Sequence, residues 1–206
     1  MRRAALALVI GAALALPCRL AFAGAQAEEQ LSASVRAGLS ASLSDQAAPE
    51  PTFPSVAAKT AWLSDRAALL AKRMPEIEDR VTFLKTVYYE ATRAGLDPEL
   101  VLGLIQTESN FRKYAVSSVG ARGYMQVMPF WVQSIGRPTD NLFHLRTNLR
   151  YGCSILRHYL DMERGNLFLA LGRYNGSRGQ AAYPNLVLAS WSQWRSMPAG
   201  YQVAMK

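Results

Sequence analysis

Asp97-Pro98-Glu99 is a helix start written in three residues, and the helix it opens ends on a carboxyl group in an unusual place. Asp97 suits the cap, Pro98 the first helical position, and Glu99 the positive end of the helix dipole. Val101, Leu104, Ile105 and Glu108 then fall at i, i+3, i+4 and i+7, so Glu108 shares the apolar stripe. Burial and the negative helix end both disfavour its charged form, so Glu108 is expected to hold its proton unusually well, as a general acid must. The helix alone leaves a second reading open, in which Glu108 sits in a fraying last turn and turns out to water.

Around this helix the chain reads as further helices. Residues 56–73 are helix-compatible, and 75–94 follow with a stripe of Ile77, Val81, Leu84 and Tyr88 and a stop at Gly95. Arg80, Lys85 and Arg93 read as a solvated face. Between Asn110 and Gly123 breakers alternate with small residues, before order resumes at Met125-Gln126-Val127-Met128-Pro129. A short helix is expected over 130–135, a long one over about 142–164, another from Asn166 to Tyr174-Asn175-Gly176, and a last one opening near Pro184. Strand patterning of convincing length is absent, so the fold class is all-α.

Glu108-Ser109, then Ala115-Val116-Ser117-Ser118-Val119-Gly120-Ala121-Arg122-Gly123-Tyr124-Met125-Gln126-Val127-Met128-Pro129, then Tyr174-Asn175 resembles the soluble lytic transglycosylase (SLT domain) family. That family's pattern is a Glu-Ser pair, Ala-x-Ser-x-x-Gly-Ala-x-Gly-Leu-Met-Gln-x-x-Pro, and a later Tyr-Asn pair. The likeness runs from about Leu96 to Gly176 and includes an Asn148-x-x-x-Gly152 spacing. Tyr124 stands where Leu is usual, and Gly176-Ser177 where Ala-Gly is more frequent.

The resemblance implies a lysozyme-like helical domain of the goose-type/SLT kind with a substrate cleft. It implies cleavage of the bond between N-acetylmuramic acid and N-acetylglucosamine in peptidoglycan, with formation of 1,6-anhydromuramyl products. Glu108 would be the acid and then the base, with Tyr174 hydrogen-bonding near it. Ser117 would support the acetamido group or the Glu, Gln126 and Asn175 would bind sugar polar groups, and Met125 and Met128 would line the cleft. No cofactor or metal is implied. From the residues alone, Ser117 equally suits a turn bond, Gln126 and Asn175 suit helix caps, and the two Met suit core filling. Among the aromatics, Tyr124 and Tyr174 are expected to face the cleft.

Glycosidases usually pair two carboxyl groups. No second one lies in these motifs: Glu99 is more than two turns back, and Asp140 follows a turn. Two rivals stand beside the lyase: a goose-type lysozyme-like hydrolase using the same Glu, and a non-catalytic wall-binding or assembly module.

The N-terminus reads as an export signal over 1–23, with Arg2-Arg3, an apolar run from Ala4 to Leu16, and Ala21-Phe22-Ala23 as the cleavage site. A periplasmic location follows. Cys18 raises a lipid-anchored alternative, against which Pro17 counts, since a small residue usually stands there. Residues 24–55, rich in Ala, Ser and Pro, read as a flexible linker, and 56–206 as the catalytic domain. Cys153 would then be the one cysteine left, and reads as a buried inert thiol. After the leader no apolar run is long enough to span a membrane. The formal charge of +8 fits glycan strands whose peptides carry carboxylates rather than nucleic acid, for there is no basic stripe. A role within secretion or wall-remodelling machinery is compatible with the same residues.

Overall fold

The computed structural model describes residue 26, residues 28–44 and residues 53–195. The expected leader, its cleavage site and Cys18 lie outside these residues. The described residues form eight helices: α1 (Ala33–Leu43), α2 (Val56–Leu70), α3 (Ile77–Arg93), α4 (Pro98–Ser109), α5 (Phe130–Ile135), α6 (Leu145–Met162), α7 (Leu167–Asn175) and α8 (Ala182–Arg195). Strands are absent among them, and two isolated bridges fold the 115–127 loop back on itself, with Arg122 opposite both Val116 and Val127. The all-α expectation holds.

Helix α4 forms as its sequence dictates. The Asp97 carboxylate accepts from the backbone N–H groups of Glu99 (2.7 Å) and Leu100 (3.2 Å), two donors that the first turn cannot satisfy itself. Leu100 through Ile105 are all buried, which makes α4 the central element rather than a one-sided surface helix. Gly103 lets α8 lie against it: a Cβ there would stand 2.6 Å from the backbone nitrogen of Trp191. Asn110 (φ 48°) and Phe111 (φ 65°) then turn the chain off the helix axis. Asn tolerates this left-handed region, whereas Phe is rarely found there. Phe111 is held by the rings of Phe83 and Trp194, at 5.9 and 5.5 Å.

Helix α3 buries a face shifted from the expected one: Leu84 is buried as expected, while Val81 and Tyr88 are only half-buried. Phe83, Leu84, Val87 and Ala91 are inward, while Ile77 is 54% exposed in the first turn. Glu90 comes inward with them and is fully buried, where a lone carboxylate would be strongly disfavoured. It is paired instead: Arg93 lies at 2.9 Å, Arg150 at 3.1 Å and Arg146 at 3.4 Å. Arg93 is therefore not part of a solvated face. Neither is Arg80, which donates to the carbonyl of Ala67 at 2.8 Å.

The stretch 24–55, expected as a flexible linker, contains α1. Ser32 caps it by accepting from Val35 N, Leu39 is buried, the helix packs on α5 and α6, and Ser40 Oγ donates to Ile135 O at 2.8 Å. Ala and Ser supply helix propensity without a strong apolar stripe, so tertiary contacts rather than amphipathicity hold this helix. Cys153 is fully buried, and burial pushes its thiol far above the usual range, as expected of an inert thiol.

Candidate functional site

Glu108 is the last buried side chain but one of α4, and only 9% of it is exposed. Burial pushes its carboxyl up to about 8, and a hydrogen bond from Tyr183 partly offsets that rise. Tyr183, near the start of α8, donates its hydroxyl to Glu108 Oε1. The other carboxyl oxygen, Oε2, is buried with no hydrogen-bond partner. One oxygen of the carboxyl is thus fixed by Tyr183, and the other is buried and unpartnered. The fraying alternative is not what the structure adopts.

The segment from Ala115 to Val127 is a clamped loop. Ser117 Oγ accepts from Ala121 N at 3.0 Å, so its visible contact is the turn. Gln126 is 2% exposed at a left-handed position (φ 48°), and its Nε2 donates to Ala115 O (3.1 Å) and Gly123 O (2.9 Å). Asn148 of α6 completes the clamp: it accepts from Met125 N at 2.8 Å and donates to Leu142 O (2.8 Å) and Arg122 O (2.9 Å). Met125 is fully buried, where a Cβ added at Gly152 would meet its sulfur at 2.4 Å. The Asn148-x-x-x-Gly152 spacing thus seats the loop on α6.

Several expected placements need correction. Met125 is core filling rather than cleft lining, because the close approach of α6 at Gly152 leaves its thioether nowhere else to go. Met128 is half-buried beside it. Tyr174 does not bond Glu108. Its hydroxyl donates to Met125 O at 2.8 Å; burial pushes its pKa well above the usual range, and the nearby Glu108 charge adds to that rise. Tyr174 is fully buried and Tyr124 nearly so, the latter tilted against Phe83 at 5.0 Å, so neither presents a ring face to a sugar. Asn175 is 5% exposed at the last residue of α7, with its Nδ2 buried and unpartnered. Glu108 Oε2 and Asn175 Nδ2 are two buried polar atoms left for something else to satisfy.

Both candidate second carboxylates are engaged elsewhere. Glu99 accepts from Trp62 Nε1 and Arg66, each at 2.8 Å. Asp140 accepts from the Tyr151 hydroxyl at 2.6 Å and from Arg137 N at 3.0 Å. A cavity of about 380 Å³ between α1, α5 and α6, lined by Ser40, Arg150 and Tyr151 among others, does not include Glu108.

Sequence reasoning missed Tyr183. It stands nine residues beyond Tyr174 in a stretch with no recognisable motif, and only the packing of α8 on α4 brings it to the acid.

Residues 85–184 match the family described as Transglycosylase SLT domain. A transglycosylase of Enterobacteria phage PRD1 is 35% identical over 111 residues, covering 50% of this chain and 41% of that protein. A membrane-bound lytic murein transglycosylase C of Histophilus somni (strain 2336) is 33% identical over 113 residues, covering 47% of this chain and 31% of that protein. The chain thus spans well under half the length of these relatives. The X-ray structure of an inactive mutant of the lytic transglycosylase Slt from Pseudomonas aeruginosa is 24% identical, with a TM-score of 0.48, and covers 55% of this chain and 25% of that one.

Proposed function

The chain belongs to the transglycosylase SLT domain family, and from that premise we propose that it is a peptidoglycan lytic transglycosylase working with Glu108 alone. The observation that carries the reading is the state of that carboxyl: buried, pushed up to about 8, held by Tyr183 on one oxygen and unpartnered on the other. A carboxyl protonated at neutral pH with one oxygen free is what a general acid requires.

In the proposed reaction Glu108 gives its proton to the glycosidic oxygen as the bond to the muramyl anomeric carbon breaks. The acetamido oxygen of the same sugar forms a bond to that carbon and takes up the developing charge. Glu108, now a carboxylate, removes the C6 hydroxyl proton. The C6 oxygen then displaces the acetamido oxygen, closing the 1,6-anhydro ring and restoring the acid. Substrate participation supplies what a second carboxylate would, which agrees with the structural engagement of Glu99 and Asp140. Asn175 Nδ2 is the donor we assign to a sugar oxygen, and Met128 to the cleft wall. Ser117 and Gln126 act on substrate through the loop that they hold. The setting is the cell envelope, with the chain exported to the periplasm.

Digestion of purified sacculi with mass spectrometry of the fragments tests this. The expected ends are 1,6-anhydromuramyl. Reducing ends heavier by one water would make the protein a hydrolase of the goose-lysozyme kind, and no release at all would make it a binding module.

A further inference from the structure

Gln26 is 4% exposed although it precedes the first helix by several residues. Its amide oxygen accepts from two converging donors, Trp131 Nε1–H at 2.9 Å and the backbone N–H of Met128 at 3.4 Å. Its Nε2 is buried against the Tyr174 hydroxyl without a well-formed hydrogen bond, so one half of the amide is well matched to its seat and the other only poorly. The carboxamide borders Tyr174, whose hydroxyl in turn feels the charge of Glu108. Three residues on, Glu29 pairs with Arg173 at 3.0 Å, immediately before Tyr174 in α7. Gln26 thus contacts Tyr174, and Glu29 pairs with the residue before it, close to the Glu108 carboxyl.

An amide oxygen caught by two N–H donors is also what an N-acyl sugar or a peptide bond offers. The poorly matched Nε2 is the part of a primary amide that such a ligand would replace with something else. We propose that Gln26 is an internal competitor: the Met128 and Trp131 donors form a subsite for an amide oxygen of the N-acylated glycan, and Gln26 fills it until substrate displaces it. This rests on the transglycosylase reading and adds to it a self-occupied subsite. The anchors suit release, since the Glu29–Arg173 pair is partly exposed (side chains 38% and 24% accessible), and such pairs hold weakly.

The test compares wild type, Gln26→Ala and Glu29→Ala on purified sacculi, with kcat and KM measured separately. Removing one competing net hydrogen bond is worth roughly a 2- to 10-fold change in binding. Both variants are expected to lower KM by that factor with kcat unchanged. Binding of an N-acetylglucosamine tetramer in a Glu108→Gln background is expected to tighten in parallel. Trp131→Phe, which keeps the ring and removes the donor, is expected to cancel the gain of Gln26→Ala. KM unchanged or raised in both variants while sacculi are still digested would overturn the competitor alone. If no form digests sacculi, the transglycosylase reading fails and the competitor falls with it.

Discussion

The Tyr183 hydroxyl donates to Glu108 across the α4–α8 contact, joining the carboxyl to a helix outside the Glu-Ser and Met-Gln segments. That hydrogen bond lowers the carboxyl pKa while burial raises it, and burial wins. The proton on Glu108 is therefore set by two helices at once, the one that buries it and the one that bonds it.

Tyr183→Phe removes the opposing influence and leaves the burial. The Glu108 pKa should then rise further, so the alkaline limb of the kcat/KM profile, which reports the free enzyme's acid, moves to higher pH. The rate near neutrality should fall, because the step in which Glu108 acts as carboxylate loses a donor that stabilises it. Stability should fall by about 1 kcal/mol for the lost hydrogen bond. A pH–rate profile beside a urea melt checks both. An alkaline limb that stays in place would show that Tyr183 does not tune the acid.

Glu108→Gln should digest sacculi at least about 10⁴-fold more slowly, the upper end of what general acid–base catalysis contributes, because in the proposed mechanism one residue serves both half-steps. Glu99→Gln and Asp140→Asn should be far milder in rate, their partners being Trp62, Arg66 and Tyr151. More than about a tenth of wild-type turnover in Glu108→Gln, well short of that range, would sink the one-carboxyl mechanism.

The same substitution should have a pH-dependent effect on stability. The folded carboxyl pKa is about 8 against an ordinary 4.5, so between those values the folded state holds a proton that the unfolded state has lost. The Glu108 contribution is then fully present below about pH 4.5, falls as pH rises, and is gone above about 8. Each pKa unit is worth about 1.4 kcal/mol, and water entry reduces the total to a few kcal/mol at most. Glu108→Gln should therefore gain stability relative to wild type between pH 5 and pH 8. Denaturant melts of both proteins at the two pH values measure the difference, and equal differences would mean the carboxyl is not buried in solution.

What the sequence revealed and what it hid divide along local and long-range lines. The Asp97 cap, the Pro98 start and the place of Glu108 on the stripe follow from spacings within one helix, and the structure keeps all three. The bounds of α5 and α7 are likewise marked by local signals, Pro129 before one and Asn166 and Gly176 around the other. Tyr183 was hidden because its partner is 75 residues away. Helix α1 was hidden because its carbonyls are bound by distant arginines, Ser42 O by Arg93 and Leu43 O by Arg150, and not by any pattern of its own. Met125 and Tyr174 sit in motifs that drew a cleft-lining reading, but a motif does not say which of its members face inward.

Asn148 is expected to matter as much as any residue within the loop it holds. Asn148→Ala would leave Met125 N and Leu142 O without their partner in a buried setting, and would take one donor from Arg122 O, which keeps the N–H of Val127. Buried polar groups left unmatched cost about 1–3 kcal/mol each, so a loss of about 2–5 kcal/mol is expected after partial rearrangement. Activity should fall beyond what the folded fraction accounts for, because the loop carrying Ser117, Gln126 and Met128 loses its seat. Activity normalised to the folded fraction by circular dichroism separates the two effects, and a fully active folded fraction would show that the loop holds itself.

Gly103 sits at the crossing of α4 and α8, about one and a half turns from Glu108 along α4, and offers a way to move Tyr183 without touching it. A methyl group at Gly103 would stand 2.6 Å from Trp191 N, 2.9 Å from Trp191 Cα and 3.2 Å from Ser190 C. These are backbone atoms, so no side chain can turn aside, and the helices must part by some tenths of an ångström or more. Overpacking of this kind costs about 1–3 kcal/mol. The gain in helix propensity from Gly to Ala, about 1 kcal/mol, opposes it without changing the geometry. Stability should therefore fall by about 0–2 kcal/mol, while the Tyr183–Glu108 hydrogen bond lengthens. Gly103→Ala is expected to shift the pH–rate profile in the same direction as Tyr183→Phe, by a smaller amount, in a protein that stays folded. An unshifted profile in such a protein would mean that the Tyr183–Glu108 contact does not depend on how closely α4 and α8 approach.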